Sequence, residues 1–179
     1  MYSGISGARL KYSPRPRWYF RNGGKIGFAH IERDDDLSKW QGSQITAIMF
    51  DELTHFTEKQ FFYMLSRNRS VCGVKPYVRA TCNPDADSWV AKFIEWWIDP
   101  DTGYPVPERS GKIRWMLRRE DSIYWADGKK ELWEQFNLKT DEEKAEPKSV
   151  TFIASTIYDN KVLLEKNPQY LANLKAMAT

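Results

Sequence analysis

Residues 45 to 52 read Ile45-Thr-Ala-Ile-Met-Phe-Asp51-Glu52, and residues 79 to 84 read Arg79-Ala-Thr-Cys-Asn83-Pro84. The first is a compact apolar run, continuous rather than alternating, that ends in two adjacent acids. Such a run predicts a strand buried on both faces of a parallel sheet. The second is an apolar-to-small run that ends in Thr81 and Asn83, about thirty residues after the acids. Between the two, Thr57-Glu-Lys-Gln60 has the spacing of a capping box. Phe61, Phe62 and Leu65 follow at helical intervals up to about Asn68. A strand, a helix and a strand in that order predict parallel pairing with both carboxyl ends opening on the same edge. Ligands of open α/β sheets bind just beyond that edge.

Two neighbouring carboxylates at such an edge suit the hydrolysis of a nucleoside triphosphate. One carboxylate holds Mg²⁺ through its waters, and the other, pointing differently, orients and deprotonates the attacking water. Asn83 would then reach the γ-phosphate or that water. The competing account makes the acids a solvated strand end before a turn, and Asn83-Pro84 a plain turn initiator.

Upstream, Arg17-Trp-Tyr-Phe-Arg21 and Lys25-Ile-Gly-Phe-Ala-His-Ile31 flank Asn22-Gly23-Gly24. Asn-Gly supplies the positive φ of a tight turn, so a hairpin is expected. Asp34-Asp35-Asp36 reads as an exposed acidic loop. Downstream, Trp89, Phe93, Trp96 and Trp97 form an apolar stripe on a helix from about Asp87 to Ile98. That stripe is either core or a base-stacking platform. Strands are expected at Lys112 to Arg118, Ser122 to Trp125 and Ser149 to Ala154, with a helix at Lys130 to Leu138. Asp141 to Pro147 reads as a charged linker. Asn167-Pro168 opens a short final helix as an N-cap followed by proline.

The chain has 179 residues, room for one domain of ordinary size, with 41% hydrophobic and 28% charged residues. That composition excludes a disordered chain and provides for a core. No apolar run is long enough for a membrane span, and the first thirty residues lack a secretory h-region, so a soluble intracellular protein is expected. Two cysteines and two histidines offer neither a disulfide framework nor zinc spacing. Metal chemistry must run on carboxylates. The net charge is +3, but Arg9, Lys11, Arg15, Arg17, Arg21 and Lys25 fall within residues 1 to 30, where no acid occurs. Interleaved with Tyr12, Trp18, Tyr19 and Phe20, they read either as a nucleic-acid-binding segment or as the solvated face of an amphipathic strand. Arg67 and Arg69 complement a helix dipole or contact phosphate or DNA. Arg114, Arg118 and Arg119 beside Trp115 are candidate backbone contacts for duplex DNA. His55, four residues past the acids, is either a support for the site or a surface side chain.

Taken together, several segments resemble one family, the large terminase subunit of tailed bacteriophages, the motor that drives DNA into procapsids. They are Asn22-Gly23-Gly24-Lys25-Ile26, Lys39-Trp-Gln-Gly42, Ile48-Met-Phe-Asp-Glu-Leu-Thr-His-Phe56, Leu65-Ser-Arg-Asn-Arg69, Ala80-Thr-Cys-Asn-Pro84, Phe152-Ile-Ala-Ser-Thr-Ile-Tyr-Asp-Asn160 and Pro168-Gln-Tyr-Leu171. Their order and spacing together carry the resemblance.

The resemblance implies an α/β sheet of the P-loop NTPase type (the ASCE class) with flanking helices, incomplete at its amino-terminal side. It implies that residues 1–179 are a partial ATPase domain, with a linker toward a nuclease domain at about 148–179. Asp51 becomes the magnesium carboxylate of a Walker B segment and Glu52 the catalytic base. Thr81 and Asn83 become the residues that couple hydrolysis to movement, with Asp51, Glu52 and Asn83 facing ATP and Mg²⁺. Double-stranded DNA, a small terminase subunit, a portal protein and further copies of the chain are the implied partners, in the cytoplasm of a bacterial host. A phosphate-binding loop, Gly-x-x-x-x-Gly-Lys-Ser/Thr, does not occur in the 179 residues. The chain therefore reads as the middle and end of the ATPase domain, inactive alone, with an unpaired sheet edge prone to association. The alternative is a non-catalytic nucleic-acid-binding or assembly module that uses the basic aromatic segment. A helicase-like ATPase explains the acids but not the Asp159-Asn160 and Pro168 segments.

Overall fold

The computed structural model describes residues 4, 5, 7–83 and 85–177 of the chain. Pro84, part of the Asn83-Pro84 pair that the competing account reads as a turn initiator, lies outside them. The fold is mixed α/β, and the chain divides into two compact units, Met1–Ala91 and Lys92–Thr179.

In the first unit, β1 (Arg9–Lys11), β2 (Arg17–Tyr19) and β3 (Lys25–Gly27) form an antiparallel sheet in that order. The expected hairpin is β2–β3. Gly23 takes a φ of 81°, and Phe20 and Gly24 close the turn through the Phe20 N–H to Gly24 O bond of 2.9 Å. The acidic run is not a loop. Asp34–Trp40 is a 3-10 helix, because the Asp36 carboxylate accepts from the backbone N–H groups of Glu32 and Arg33. Lys39 and those two amides hold the Asp36 carboxyl down at about 2. Lys59 and Gln60 reach Asp34 and tie this helix to the next element.

β4 (Ala47–Phe50) leads through a 3-10 turn, Leu53–His55, into α1 (Glu58–Arg67), which returns the chain to β5 (Tyr77–Ala80). The capping box is present: Thr57 accepts from the Gln60 N–H at 3.1 Å, and Gln60 accepts from the Thr57 N–H at 3.1 Å. β4 and β5 pair in parallel, with Ile48 opposite Val78 and Phe50 opposite Ala80. Burial on both faces is corrected here. Ile48 and Phe50 are buried, while Met49 is 69% exposed, so β4 alternates. Leu37, Leu53, Phe61, Met64 and Val90 complete the buried apolar set of this unit, with the Phe50 ring 5.0 Å from Phe56 and 5.5 Å from Phe61. Among the described residues β4 pairs with β5 alone, so its other edge has no strand.

The Trp89 stripe is split between a short helix, α2 (Trp89–Ile94), and a 3-10 turn, Glu95–Trp97. In the second unit Trp97 is 1% exposed, donates from Nε1 to Lys112 O at 3.2 Å, and so serves as core. β6 (Ile113–Arg119) lies between β7 (Ser122–Ala126) and, on its other side, β8 (Lys148–Thr151), all antiparallel. α3 (Lys129–Gln135) covers this sheet. Leu132, fully buried, packs with Leu117, Ala126 and Leu138. The expected charged linker holds a helix, α4 (Asp141–Ala145), because Thr140 and Glu143 cap each other and satisfy its first amides. α5 (Lys161–Lys166) and α6 (Pro168–Met177) end the described chain, the latter starting at the proline as expected. Among the described residues no helix is long and apolar enough to cross a membrane.

Asn68 closes α1 and anchors the start of both parallel strands. Its Nδ2 lies 2.9 Å from Ile45 O, 3.1 Å from Thr46 O and 3.1 Å from Tyr77 O. Removing the amide takes a shared donor away from three carbonyls at the point where β4 and β5 are brought side by side, although Thr46 O keeps the Tyr77 N–H at 3.1 Å. Asn68→Ala is expected to lower unfolding stability by about 1–3 kcal/mol. Asn68→Asp, which sets a carboxylate against the carbonyls, should cost more. Urea unfolding midpoints check both, and an Asp variant as stable as the parent would contradict this role.

Candidate active site at the carboxyl edge of the parallel strands

Parallel register sets Asp51 beside Thr81. Phe50 is opposite Ala80, so the next residue of each chain emerges at the same carboxyl edge. The Thr81 N–H donates to Phe50 O at 3.0 Å, and the Leu53 N–H donates to Thr81 O at 2.8 Å. Between these backbone bonds the Thr81 hydroxyl does two things. It donates to Asp51 Oδ1 at 2.9 Å and accepts from the Glu52 N–H at 3.2 Å. One side chain therefore fixes the carboxylate of the first acid and the backbone of the second.

Glu52 sits in the left-handed region, at φ 52° and ψ 70°. An L-residue with a Cβ pays roughly 1–2 kcal/mol there. The Glu52 carbonyl accepts from the His55 N–H at 2.9 Å and starts the turn into α1. The reversal sends the side chains of Asp51 and Glu52 out of strand alternation, so adjacent acids need not point to opposite faces. Cys82, next to Thr81, has its thiol pushed up by burial, with the nearby Glu52 charge adding to the effect. Asn83, two residues past Thr81 in the chain, is exposed. His55 contributes its backbone to the turn, and its side chain is exposed.

Asp51 Oδ1 accepts from the Thr81 hydroxyl, and among the described residues no other hydrogen bond to the Asp51 carboxylate is formed. Among the described residues no three His, Cys, Asp or Glu side chains converge. That donor set fits a magnesium ion carried largely by water and phosphate oxygens, and not one held in a protein cage.

Within the first unit, Arg67 and Arg69 are not brought to this edge. Ile45 N–H donates to Arg67 O at 3.0 Å, so the end of α1 lies at the amino ends of the strands. There the Arg67 guanidinium lies over the Tyr63 ring, 5.0 Å from its centre, and Arg69 donates to Ser43 O and Gly42 O, each at 3.3 Å. In the second unit, Arg114 is 15% exposed, 2.9 Å from Asp127 Oδ1 and 4.8 Å over the Trp96 ring. Arg118 pairs with Asp121 at 3.1 Å, and Arg119 with Glu146. Arg69 and Arg114 are thus occupied in holding local structure. Sequence reasoning missed Asn68 as the anchor of both strands. Its only signal was its place at the expected end of the helix.

These features define a mixed α/β protein in which the Asp51 and Thr81 side chains meet at the carboxyl edge of a parallel strand pair. The family described as terminase large subunit, T4likevirus-type, N-terminal, matches residues 6–176. The chain belongs to that family, which ties it to viral DNA packaging. No curated protein and no solved structure matches the chain.

The strained backbone at Glu52 has a measurable signature. Glu52→Ala and Glu52→Gly both remove the carboxylate, but only alanine keeps the Cβ that the left-handed conformation disfavours. The glycine variant is expected to be about 1 kcal/mol more stable than the alanine variant, the reverse of their usual order. Chemical denaturation of the pair tests this, and an alanine variant of equal or greater stability would contradict it.

Proposed function

We propose that this chain supplies the Walker B and coupling half of an ATP-hydrolysing DNA-packaging motor, built on a P-loop NTPase sheet of the ASCE class. The observation that carries the reading is the Thr81 hydroxyl bonded to Asp51 Oδ1 at 2.9 Å across two parallel strands. A magnesium ion bound there would neutralise charge on the transferred phosphoryl group. In this reading Asp51 holds that ion through water. Glu52 accepts a proton from the water that attacks the γ-phosphate. Asn83 hydrogen-bonds the γ-phosphate or that water.

Thr81 bonds the Asp51 carboxylate and the Glu52 amide, and it directly follows β5, two residues before Asn83. A change in what Asn83 bonds after hydrolysis would therefore pull on the strand that fixes Asp51 and Glu52. That is a physical route from phosphate loss to movement. The family membership supports DNA as the moving partner. The small subunit, the portal and further copies of the chain are the remaining partners of the proposal, and the host cytoplasm is its place.

Asp51 and Glu52 repel a polyphosphate unless a cation and a phosphate cradle intervene, and the 179 residues contain no Gly-x-x-x-x-Gly-Lys-Ser/Thr. The chain by itself is expected to hydrolyse no ATP above background. Stoichiometric ATP binding by calorimetry, lost in Asp51→Ala, would contradict that. When a strand, phosphate-binding loop and helix of the family are supplied, turnover should appear. Glu52→Gln should then lower it by roughly 10² to 10⁴, and unchanged turnover would remove Glu52 from its role.

A further inference from the structure

The six cations of residues 1 to 30 are a scattered run in sequence, but strand pairing sorts four of them. Arg9, Tyr19 and Lys25 form one row across the first sheet, and Lys11, Arg17 and Gly27 form the next. Residues paired directly across an antiparallel ladder share a face, so Arg9, Lys11, Arg17 and Lys25 project to one side. The intervening row, Leu10, Trp18 and Ile26, takes the other. All four cations are exposed. Among the described residues none of the four enters an ion pair.

The face is shaped for phosphates rather than bases. Tyr19 is its one aromatic, and the ammonium groups of Lys11 and Lys25 lie 5.3 and 5.7 Å from its ring centre. A ring flanked by two lysines is not a free platform for a base, which single-strand binders require. Gly27 adds no side chain beside Arg17, whose Nε would stand 3.5 Å from a Cβ placed there, so the Arg17 side chain lies over the bare Gly27 backbone. Strands lie about 4.8 Å apart and alternate residues roughly 7 Å apart, so the four charges make a flat cationic patch rather than a finger that enters a groove.

We propose that this face of the β1–β2–β3 sheet is a docking surface for the phosphate backbone of duplex DNA, separate from the carboxylate edge and indifferent to base sequence. Charge complementarity carries the proposal. The choice of DNA as the polyanion rests on the packaging reading above. Four phosphate contacts give a salt dependence of log K on log [salt] near a slope of about −3.6 for duplex, and about −2.8 for single strands. The corresponding loss in duplex affinity between about 50 and 200 mM salt is roughly 10²-fold.

The test is fluorescence anisotropy of a labelled random-sequence duplex with the full chain, without nucleotide, over a salt series. The sheet variant Arg9→Gln, Lys11→Gln, Arg17→Gln, Lys25→Gln is compared with an equal-charge control, Lys130→Gln, Lys139→Gln, Lys161→Gln, Lys166→Gln. The expected result is at least a tenfold loss at low salt, with the slope collapsing toward zero, in the sheet variant alone. Equal losses in both variants, an unaffected sheet variant, or a parent chain that does not bind duplex would overturn the proposal. The unmodified chain gives a readout that needs no variant to fold. Duplex DNA should protect Lys11 and Lys25 from acetylation and leave Lys161 and Lys166 reactive, and unprotected Lys11 and Lys25 would overturn the assignment. Because no nucleotide is present, failure here leaves the Glu52 turnover test untouched, and failure there leaves this surface standing.

Discussion

One hydroxyl holds the site together. Thr81 Oγ1 stands between the Asp51 carboxylate and the Glu52 amide, while the backbone of the same residue bonds Phe50 on one side and Leu53 on the other. Everything at the carboxyl edge depends on that residue arriving opposite Asp51. Its arrival is set at the far end of the strands, where Asn68 gathers the carbonyls of Ile45, Thr46 and Tyr77. The core beneath, with Ile48, Phe50, Phe61 and Met64 buried and the Phe50 and Phe61 rings 5.5 Å apart, keeps the helix between these two clamps. The left-handed backbone of Glu52 is tolerated because the bonds on either side over-determine it, a common circumstance at sites that hold reacting groups.

Much of this was legible in the sequence, for identifiable reasons. The parallel strand pair followed from the order of strand, capping box, helix and strand, since a crossover of that length leaves few other topologies. The capping boxes are local chemistry and are visible as spacings, although the one at Thr140 was passed over inside a run of charges. What could not be read was which face a covering layer leaves open, which backbone conformation a turn imposes and which amides an acid caps. An apolar run predicts burial of both faces, yet Met49 is open because the described residues place a covering layer on one side only. The conformation of Glu52 left no mark, since glutamate has no preference for it. Asp34 to Asp36 looked like a solvated loop because an acidic cluster says nothing about which amides it will cap.

The arginines illustrate the same limit in the opposite direction. Arg69 and Arg114 looked available for DNA when read beside their neighbours in sequence, but the fold commits one to loop carbonyls and the other to an aspartate and a tryptophan. Conversely, the amino-terminal cations looked dispersed until antiparallel pairing put four of them on one side of a sheet. Charge in a sequence becomes an interaction surface only after hydrogen-bond register has decided which side chains face together. In the function and the docking surface we propose, the carboxylate edge and the cationic face serve different parts of one task.

The clamp at Thr81 is open to direct observation by amide hydrogen exchange at Glu52 and Leu53, comparing the parent chain with Thr81→Val and Thr81→Ser. The Glu52 amide depends on the hydroxyl, and the Leu53 amide on the Thr81 carbonyl, which valine retains. The account predicts that valine makes Glu52 exchange rapidly while Leu53 stays protected, and that serine preserves both. Rapid exchange at Glu52 in the parent chain, or protection there that survives the loss of the hydroxyl, would contradict it.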